Sequence, residues 1–175
     1  MSAGLAGGCF VTGTDTCVGK TLVAGALLSA LRASGVNAAP MKPVQTGALA
    51  RGGRLWSPDL EFCLRAGGLR PEPDTKRHMA PYLFKDACSP HLAAGRVRSA
   101  IVLSTLTRSF RALGRAFEAV IVEGAGGVLA PLGERVVMAD LIKALKLPAV
   151  LVARLGLGTL NIIICTMKSH YLKRL

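Results

Sequence analysis

The stretch Gly13-Thr14-Asp15-Thr16-Cys17-Val18-Gly19-Lys20-Thr21 decides the predicted fold. A phosphate-binding loop usually places four residues between its first glycine and the Gly-Lys-Thr/Ser triplet, whereas here five intervene. The stretch follows a short apolar run, Cys9 to Thr12, and precedes a segment whose leucines and alanines recur at helical spacing up to Gly35. A glycine-rich turn between a strand and a helix directs backbone N–H groups and the helix dipole at a phosphate. We therefore predict a nucleotide phosphate site here, despite the irregular spacing.

Within that stretch, Lys20 and Thr21 carry the predicted chemistry. Lys20 would reach the β- and γ-phosphates of a nucleotide, and the Thr21 hydroxyl would complete the coordination of Mg²⁺. The alternative interpretation is a glycine-rich turn that closes a strand–helix unit and leaves Lys20 merely exposed. The apolar strand before the loop and the helix after it favour the phosphate site.

The rest of the chain alternates predicted strands with predicted helices. Strands are predicted at 36–41, 119–122 and 149–153, helices at 59–66, 99–117 and 139–145, and a helix start at 89–91. Residues 46–58 are expected to form a loop, and residues 67–81 to be irregular because of their prolines and glycines. Alternating strands and helices indicate a parallel sheet with helices on both faces. We predict one α/β domain over residues 1–175, a three-layer α/β/α fold of the P-loop NTPase type.

Two more polar residues, Lys42 and Glu123, follow predicted strands, where ligands bind in such folds. Glu123 follows the apolar strand at 119–122, a position suited to an acidic Mg²⁺ ligand. Asp59 is a second candidate, although Ser57-Pro58-Asp59 is equally an ordinary helix start with Ser57 as its cap. Lys42 could stabilise charge on a transferring phosphoryl group. From the residues alone, an exposed lysine at a strand end is the better interpretation of Lys42.

The composition of the chain indicates which ligands it can bind and in which cellular compartment it is expected. The chain carries 22 Lys and Arg against 10 Asp and Glu, a net charge of +12 that favours anionic ligands such as nucleotides. The basic residues are scattered and no aromatics interleave with them, so we expect no nucleic-acid binding. An odd number of cysteines without Cys-x-x-Cys spacing argues against a disulfide framework and for a reducing, cytoplasmic setting. No signal peptide is evident, and Arg154 and Asn161 interrupt the most apolar tract, so we expect no membrane span.

Several segments together resemble the dethiobiotin synthetases, the ATP-dependent enzymes that close the ureido ring during biotin synthesis. The resemblance covers roughly residues 9 to 161, and the five-residue spacing of the phosphate loop is this family's own variant. It rests on segments that follow the family's order: Val11 to Thr21, Met41 to Gly47, Ser57 to Asp59, Ser89 to His91, Val122 to Gly127, Ala139-Asp140 and Gly156 to Asn161. Each segment alone is weak to moderate evidence, whereas the set is strong.

The resemblance implies a reaction and its participants. The family converts 7,8-diaminononanoate, CO₂ and ATP into dethiobiotin, ADP and phosphate, with Mg²⁺ as cofactor. One amine takes up CO₂ as a carbamate, the carbamate attacks the γ-phosphate, and the second amine closes the ring. The family is a homodimer with its sites near the subunit interface.

The resemblance also assigns residues to these roles. It implies nucleotide contacts for Thr16, Cys17, Val18, Gly19, Lys20, Thr21, Leu22, Asp59, Glu123, Gly124, Ala125 and Gly126. It implies Mg²⁺ ligands at Thr21, Asp59 and Glu123, and catalytic roles for Lys20 and Lys42. It implies substrate contacts from Thr16 and Thr46, and from Gly158, Thr159, Leu160 and Asn161 of the partner subunit. The helix N-terminus at this last segment would face the substrate carboxylate.

The sequence departs from the family's pattern at three places. Cys17 stands where many relatives carry an acidic residue, a change we expect to be tolerated, and Ile162 stands where relatives usually carry a histidine. Relatives also continue past the position of Leu175 with a strand whose asparagine reads adenine. Two alternatives follow: a truncated or alternatively ended form with weaker adenine selectivity and lower stability, or an active short variant that completes its fold by dimerisation. We expect lower solubility or stability than in a longer relative.

Two other interpretations stay open. One is another P-loop enzyme, of the cobyrinate amidating or partitioning ATPase type. Against it, the chain shows no glutamine-hydrolysing domain with a catalytic cysteine, and Gly13-Thr14-Asp15 lacks the second lysine typical of partitioning ATPases. The other is a truncated nucleotide-binding remnant without turnover.

Overall fold

A computed structural model describes residues 7–172, with side chains up to residue 168, so the predicted domain 1–175 extends outside the described residues at both ends. The strands are β1 (Gly7–Gly13), β2 (Ala38–Met41), β3 (Val44–Thr46), β4 (Leu49–Arg51), β5 (Arg54–Trp56), β6 (Tyr82–Phe84), β7 (Ala119–Gly127) and β8 (Ala149–Val152). The helices are α1 (Lys20–Ala33), α2 (Pro58–Ala66), α3 (Pro73–Met79), α4 (Pro90–Arg96), α5 (Leu103–Ala116), α6 (Met138–Leu145) and α7 (Thr159–Leu172).

A four-stranded sheet in the order β2-β7-β1-β8 positions the site, and every neighbouring pair in it is parallel. Because side chains alternate across a strand, β1 feeds two separate cores. Phe10 belongs to a buried cluster with Phe110 of α5 and Leu141 of α6, whereas Val11 packs in a second cluster with Leu28 of α1. Helices therefore cover both faces of the sheet, which confirms the predicted three-layer α/β/α fold.

Most predicted elements are confirmed. The strand and helix around the phosphate loop are β1 and α1, and the predicted strand at 36–41 is β2, which begins at Ala38. The predicted helices correspond to α2, α4, α5 and α6, and Ser57 caps α2 by accepting a hydrogen bond from the Leu60 N–H. The predicted strand at 119–122 is β7, which continues to Gly127, so Glu123 lies within the strand.

Two predictions of irregular structure are wrong. Residues 46–58 contain the antiparallel hairpin β4–β5, which closes at Gly52 and Gly53 with φ angles of 58° and 74°. Two consecutive positive φ angles are what a two-residue hairpin turn requires, and glycine adopts them without strain. Residues 67–81 contain α3, because Pro73 starts this helix instead of breaking one.

The last described strand differs from its predicted burial. We expected a buried strand at 149–153, but Ala149 is exposed and Val150 to Val152 are half-buried. β8 lies at the outer edge of the described sheet, where it pairs with β1 alone. α7 follows it, and among residues 7–172 no helix is long and apolar enough to cross a membrane.

Candidate active site

A cleft of about 910 Å³ lies at the carboxyl ends of β1, β2 and β7. Twelve of the predicted site residues line it: Thr16, Cys17, Gly19, Lys20, Thr21, Leu22, Lys42, Thr46, Asp59, Glu123, Ala125 and Gly126. They come from five separate segments of the chain. The parallel sheet brings the segments at β1, β2 and β7 to one edge, whereas Thr46 comes from β3 and Asp59 from α2. The cleft has the size of a ligand site and a mixed lining of polar and apolar groups.

The phosphate loop forms one wall of the cleft. Gly13 permits its tight turn, because a Cβ there would lie 2.8 Å from Val18 Cγ2 and 3.0 Å from the Asp15 carbonyl oxygen. Cys17 and Gly19 adopt positive φ angles of 58° and 101°, and Gly19 serves as the N-cap of α1. Val18 does not line the cleft, since its side chain packs toward Gly13 instead. The loop therefore faces the cleft with the first turn of α1 and its unpaired N–H groups.

Lys20 is held inside this loop. The residue is only 7% exposed, and its Nζ donates a hydrogen bond to the Asp15 carbonyl oxygen at 2.6 Å. Burial, and after it the charge of Lys42, lower the pKa of Lys20 below its ordinary value. The ammonium thus has a neutral partner that an anionic ligand could replace.

Lys42 lies on the opposite wall between two carboxylates. Its Nζ is 2.7 Å from Glu123 Oε1 and 2.7 Å from Asp59 Oδ2, and the Gly124 carbonyl oxygen lies 3.4 Å away. Lys42 is 5% exposed, so the expectation of an exposed strand-end lysine is wrong. A lysine that leaves β2 toward β7 meets the Glu123 side chain, and this meeting depends on strand order, which the sequence around Lys42 does not contain.

The two carboxylates keep Lys42 charged. Burial opposes the charge on this ammonium, but the adjacent Glu123 and Asp59 carboxylates more than offset that effect. The pKa of Lys42 is therefore raised above its ordinary value. A buried lysine without such partners would instead become easier to deprotonate.

Thr21 joins the same cluster from the first turn of α1. Its hydroxyl donates to Glu123 Oε1 at 2.8 Å, and that oxygen also accepts from Lys42. Asp59 lies in the first turn of α2, so it is both an ordinary helix start and part of the cleft wall. One hydroxyl and two carboxylates are hard oxygen donors of the kind Mg²⁺ prefers. Among the described residues, no group of three or more His, Cys, Asp and Glu side chains suits a metal ion.

Some predicted residues lie apart from the cleft. Gly124 contributes only its carbonyl oxygen, which faces Lys42. Thr159, Leu160 and Asn161 begin α7 and Gly158 directly precedes it, and none of the four lines the cleft of its own chain. Leu160 is 76% exposed, and the Thr159 hydroxyl donates to the Arg154 carbonyl oxygen. In the single chain, these residues lie on the surface.

Other lining residues were missed by sequence reasoning. Gln45, Phe62, Cys88, Ser89, Pro90 and Pro131 also line the cleft. Gln45, Ser89 and Pro90 lie within the segments that carry the family resemblance, which assigns them no role. Phe62 lies one helical turn after Asp59 on α2, and this spacing could have identified it.

Comparisons with known proteins identify relatives of this chain. A family model described as an AAA domain matches residues 7–173. The chain is 45% identical over 156 residues to the ATP-dependent dethiobiotin synthetase BioD of Anaeromyxobacter dehalogenans (strain 2CP-C), a match that covers 88% of this chain and 66% of that protein. It is 33% identical over 167 residues to the protein of the same name from Clostridium botulinum, covering 94% of this chain and 72% of the relative.

The fold has a solved counterpart as well. The kinase domain of the Escherichia coli tyrosine kinase ETK superposes with a TM-score of 0.51 at 17% identity, covering 98% of this chain and 64% of that one. At this identity the likeness shows the fold alone.

The chain spans 66% of the length of the Anaeromyxobacter relative. The family model and the relatives, taken with the cleft, show that the chain belongs to the dethiobiotin synthetase family.

Proposed function

We propose that the protein is an ATP- and Mg²⁺-dependent ligase that forms dethiobiotin from 7,8-diaminononanoate and CO₂. One observation carries the proposal: two buried ammonium groups, two carboxylates and a hydroxyl converge on one cleft beside a phosphate loop. Transfer of a phosphoryl group needs positioning and charge neutralisation more than covalent help from the protein. The names of the relatives supply ATP and the product, dethiobiotin, whereas the diamine and CO₂ rest on the family resemblance.

The phosphate loop binds the triphosphate in this proposal. The N–H groups at the start of α1 face the phosphate oxygens, and Lys20 exchanges the Asp15 carbonyl oxygen for the β- and γ-phosphates. A neutral hydrogen-bond partner is weaker than a phosphate, so the exchange is favourable. Within Thr16 to Leu22 all residues but Val18 form the nucleotide wall, and Glu123, Ala125 and Gly126 border it from β7.

Thr21, Asp59 and Glu123 would hold Mg²⁺, since they supply a hydroxyl and two carboxylates within one cluster. When bound, the ion neutralises charge on the phosphate oxygens. Lys42 occupies the space between the same two carboxylates in the ligand-free chain. Lys42 is assigned to the transferring phosphoryl group and the carbamate, whose negative charge its ammonium would stabilise.

The reaction proceeds in three balanced steps. One substrate amine attacks the carbon of CO₂ and loses a proton, which gives a carbamate. A carbamate oxygen then bonds to the γ-phosphorus while the bond to the ADP oxygen breaks, which gives a carbamic-phosphoric anhydride. The second amine attacks the carbonyl carbon, loses its proton and expels phosphate, closing the ureido ring. Lys20 and Lys42 stabilise the negative charge that moves during the second step.

Substrate binding completes the proposal. Thr46 lines the cleft at the end of β3 and is assigned to the substrate. Gly158 to Asn161 of the partner subunit are assigned to its carboxylate in a homodimer. The exposure of Leu155, Leu157 and Leu160 supports a contact with a second chain, because apolar surface of this extent is usually covered.

Product formation tests the proposed function. The purified chain would be incubated with 7,8-diaminononanoate, bicarbonate, Mg²⁺ and ATP, and dethiobiotin measured by mass spectrometry. We expect product from the wild type and none from Lys20→Ala. Lys143→Ala serves as the matched control, because Lys143 is an exposed lysine on α6 outside the cleft. Folded protein that binds ATP but makes no dethiobiotin would contradict the ligase and favour a binding module.

A further inference from the structure

Gln45 is a buried polar residue of the cleft to which the proposed reaction gives no role. It lies on β3, three residues after Lys42, and is 5% exposed. Its Oε1 accepts a hydrogen bond from the Ser57 hydroxyl, and its Nε2 donates to the Thr46 carbonyl oxygen at 2.8 Å. A buried polar side chain with both ends paired is a fixed structural link, because breaking it leaves unsatisfied groups.

The direction of each hydrogen bond in this link is determined by its partners. The Ser57 oxygen accepts from the Leu60 N–H at 3.0 Å, so its own proton is free for Gln45 Oε1. The Thr46 carbonyl oxygen can only accept, so it requires the Gln45 amide nitrogen. A side chain with one donor end and one acceptor end satisfies both partners, which neither a carboxylate nor an apolar side chain does.

The link joins the two segments whose charged residues meet in the cleft. Ser57 is the N-cap of α2, and Asp59 lies in the first turn of that helix. Lys42 lies just before β3, and its own backbone N–H is held by the Met79 carbonyl oxygen at 2.7 Å. Gln45 therefore ties the start of α2 to the segment that carries Lys42, and Asp59 Oδ2 lies 2.7 Å from Lys42 Nζ.

We propose that Gln45 is a positioning residue: through Ser57 it holds the N-terminus of α2 so that the Asp59 carboxylate faces Lys42 and the proposed Mg²⁺ site. The inference rests on the proposed function for its ligand, but its central geometry belongs to the ligand-free chain. Residues that orient a metal ligand change metal affinity by about tenfold or more when removed.

Three variants and one control test this inference. Gln45→Met keeps the volume of the side chain but removes both hydrogen bonds. Gln45→Glu keeps an acceptor for Ser57 and removes the donor to Thr46, and Ser57→Ala removes the link from its other end. Arg32→Ala is the control, because Arg32 anchors the opposite end of the same helix through the Gly67 carbonyl oxygen at 2.7 Å. It loosens α2 without touching the link.

The first readout is nucleotide binding by calorimetry, with Mg²⁺ and then with EDTA. Gln45→Met and Ser57→Ala are expected to weaken binding of Mg·ATP by about tenfold and to leave metal-free ATP within about twofold. Gln45→Glu is expected to fall between these variants and the wild type. Arg32→Ala should lower the melting temperature while leaving the two affinities in their wild-type ratio. Equal weakening with and without Mg²⁺, or the same pattern in Arg32→Ala, would overturn the proposal.

The second readout is stability, which needs no ligand and can therefore be measured even if the wild type or a variant does not bind ATP. Urea midpoints are compared for Gln45→Met, Asp59→Asn and the double variant, and again with Ser57→Ala if Gln45→Met does not fold. If Gln45 acts through Asp59, the double variant loses less than the sum of the single losses. Additive losses would overturn the inference. If the losses of the variants are non-additive but the wild type makes no dethiobiotin, the role of Gln45 is supported while the proposed function fails.

Discussion

The two walls of the cleft each bury one lysine, and they treat its charge in opposite ways. On the phosphate-loop wall, Lys20 has only the Asp15 carbonyl oxygen as its partner, and its pKa is lowered, first by burial. On the β2 wall, Lys42 lies between Glu123 and Asp59, and its pKa is raised because these carboxylates outweigh burial. In the ligand-free chain, Lys20 therefore has a partner that an incoming anion can replace, whereas Lys42 is held by two carboxylates.

The largest difference between the two walls is expected in the free energy of unfolding of their lysine variants. Lys42→Met leaves two carboxylates close together without their cation, and we expect it to lower the free energy of unfolding by about 3–5 kcal/mol. Lys20→Met removes a buried charge whose partner is neutral, and we expect a change within about 1 kcal/mol. Urea unfolding of both variants at neutral pH measures the difference. Equal losses would show that the two lysines are not held differently.

The pH dependence of this stability has a defined sign. Because the pKa of Lys42 is raised in the folded chain, its ion pairs contribute fully below the ordinary lysine value of 10.5. The contribution is lost as pH rises above that value and through the higher pKa of the folded state. The gap between wild type and Lys42→Met should therefore stay constant from neutral pH to about pH 10 and narrow only above it.

Nucleotide affinity should separate the walls in the reverse order. Without Mg²⁺, Lys20→Met is expected to weaken ATP binding by about tenfold to a hundredfold, because it removes a charged hydrogen bond to phosphate. Lys42→Met is expected to stay within about threefold of wild type, since its charge is committed to carboxylates. Calorimetry in EDTA tests this. A larger loss in Lys42→Met than in Lys20→Met would reverse the assignment of the walls.

Cysteine reactivity compares the same two walls without mutation. Cys17 is exposed on the phosphate-loop wall, whereas Cys63 is buried beneath the β2 wall. Burial and then the charge of Glu123 raise the pKa of Cys63 to about 12. At mildly alkaline pH we expect iodoacetamide to modify Cys17 and to spare Cys63, because the thiolate is the reactive form. Peptide mass spectrometry gives the ratio, and ATP should slow the modification of Cys17. Comparable labelling of both cysteines would contradict the described burial.

A third lysine gives the smallest effect and shows what burial adds. Lys76 pairs with Glu61 outside the cleft, with side chains 42% and 26% exposed. Glu61→Gln is expected to cost less than about 1 kcal/mol, since exposed ion pairs contribute little. A loss as large as that of Lys42→Met would mean that pairing alone, without burial, explains the β2 wall.

These walls also differ in how far the sequence predicts them. The phosphate loop lies within nine consecutive residues, so its strand, turn and helix could be predicted from local pattern alone. The β2 wall joins residues 42, 59 and 123. The parallel pairing of β2 with β7 brings Lys42 to Glu123, and Asp59 comes from the first turn of α2, which is far from both along the sequence. From the residues alone Lys42 was expected to be exposed, while the family resemblance placed it in the site.

Local chemistry explains the remaining failures. Gly52-Gly53 forms a hairpin turn, but its strands are only three residues long and carry no clear alternation of apolar residues. Pro73 marks a helix start, which has the same sequence signal as a break. Gln45 could not be assigned, because its two partners, Ser57 and the Thr46 carbonyl oxygen, are chosen by the fold.

The most direct test of the proposed ligase follows the oxygen atoms of CO₂. The chain would be supplied with bicarbonate labelled with oxygen-18, and dethiobiotin and phosphate analysed in the first turnovers, before exchange with water. The mechanism predicts one labelled oxygen in each phosphate formed, because the carbamate oxygen that bonds to phosphorus leaves with it when the ring closes. Dethiobiotin accompanied by unlabelled phosphate would contradict the anhydride, and labelled bicarbonate that yields no dethiobiotin would contradict the ligase itself.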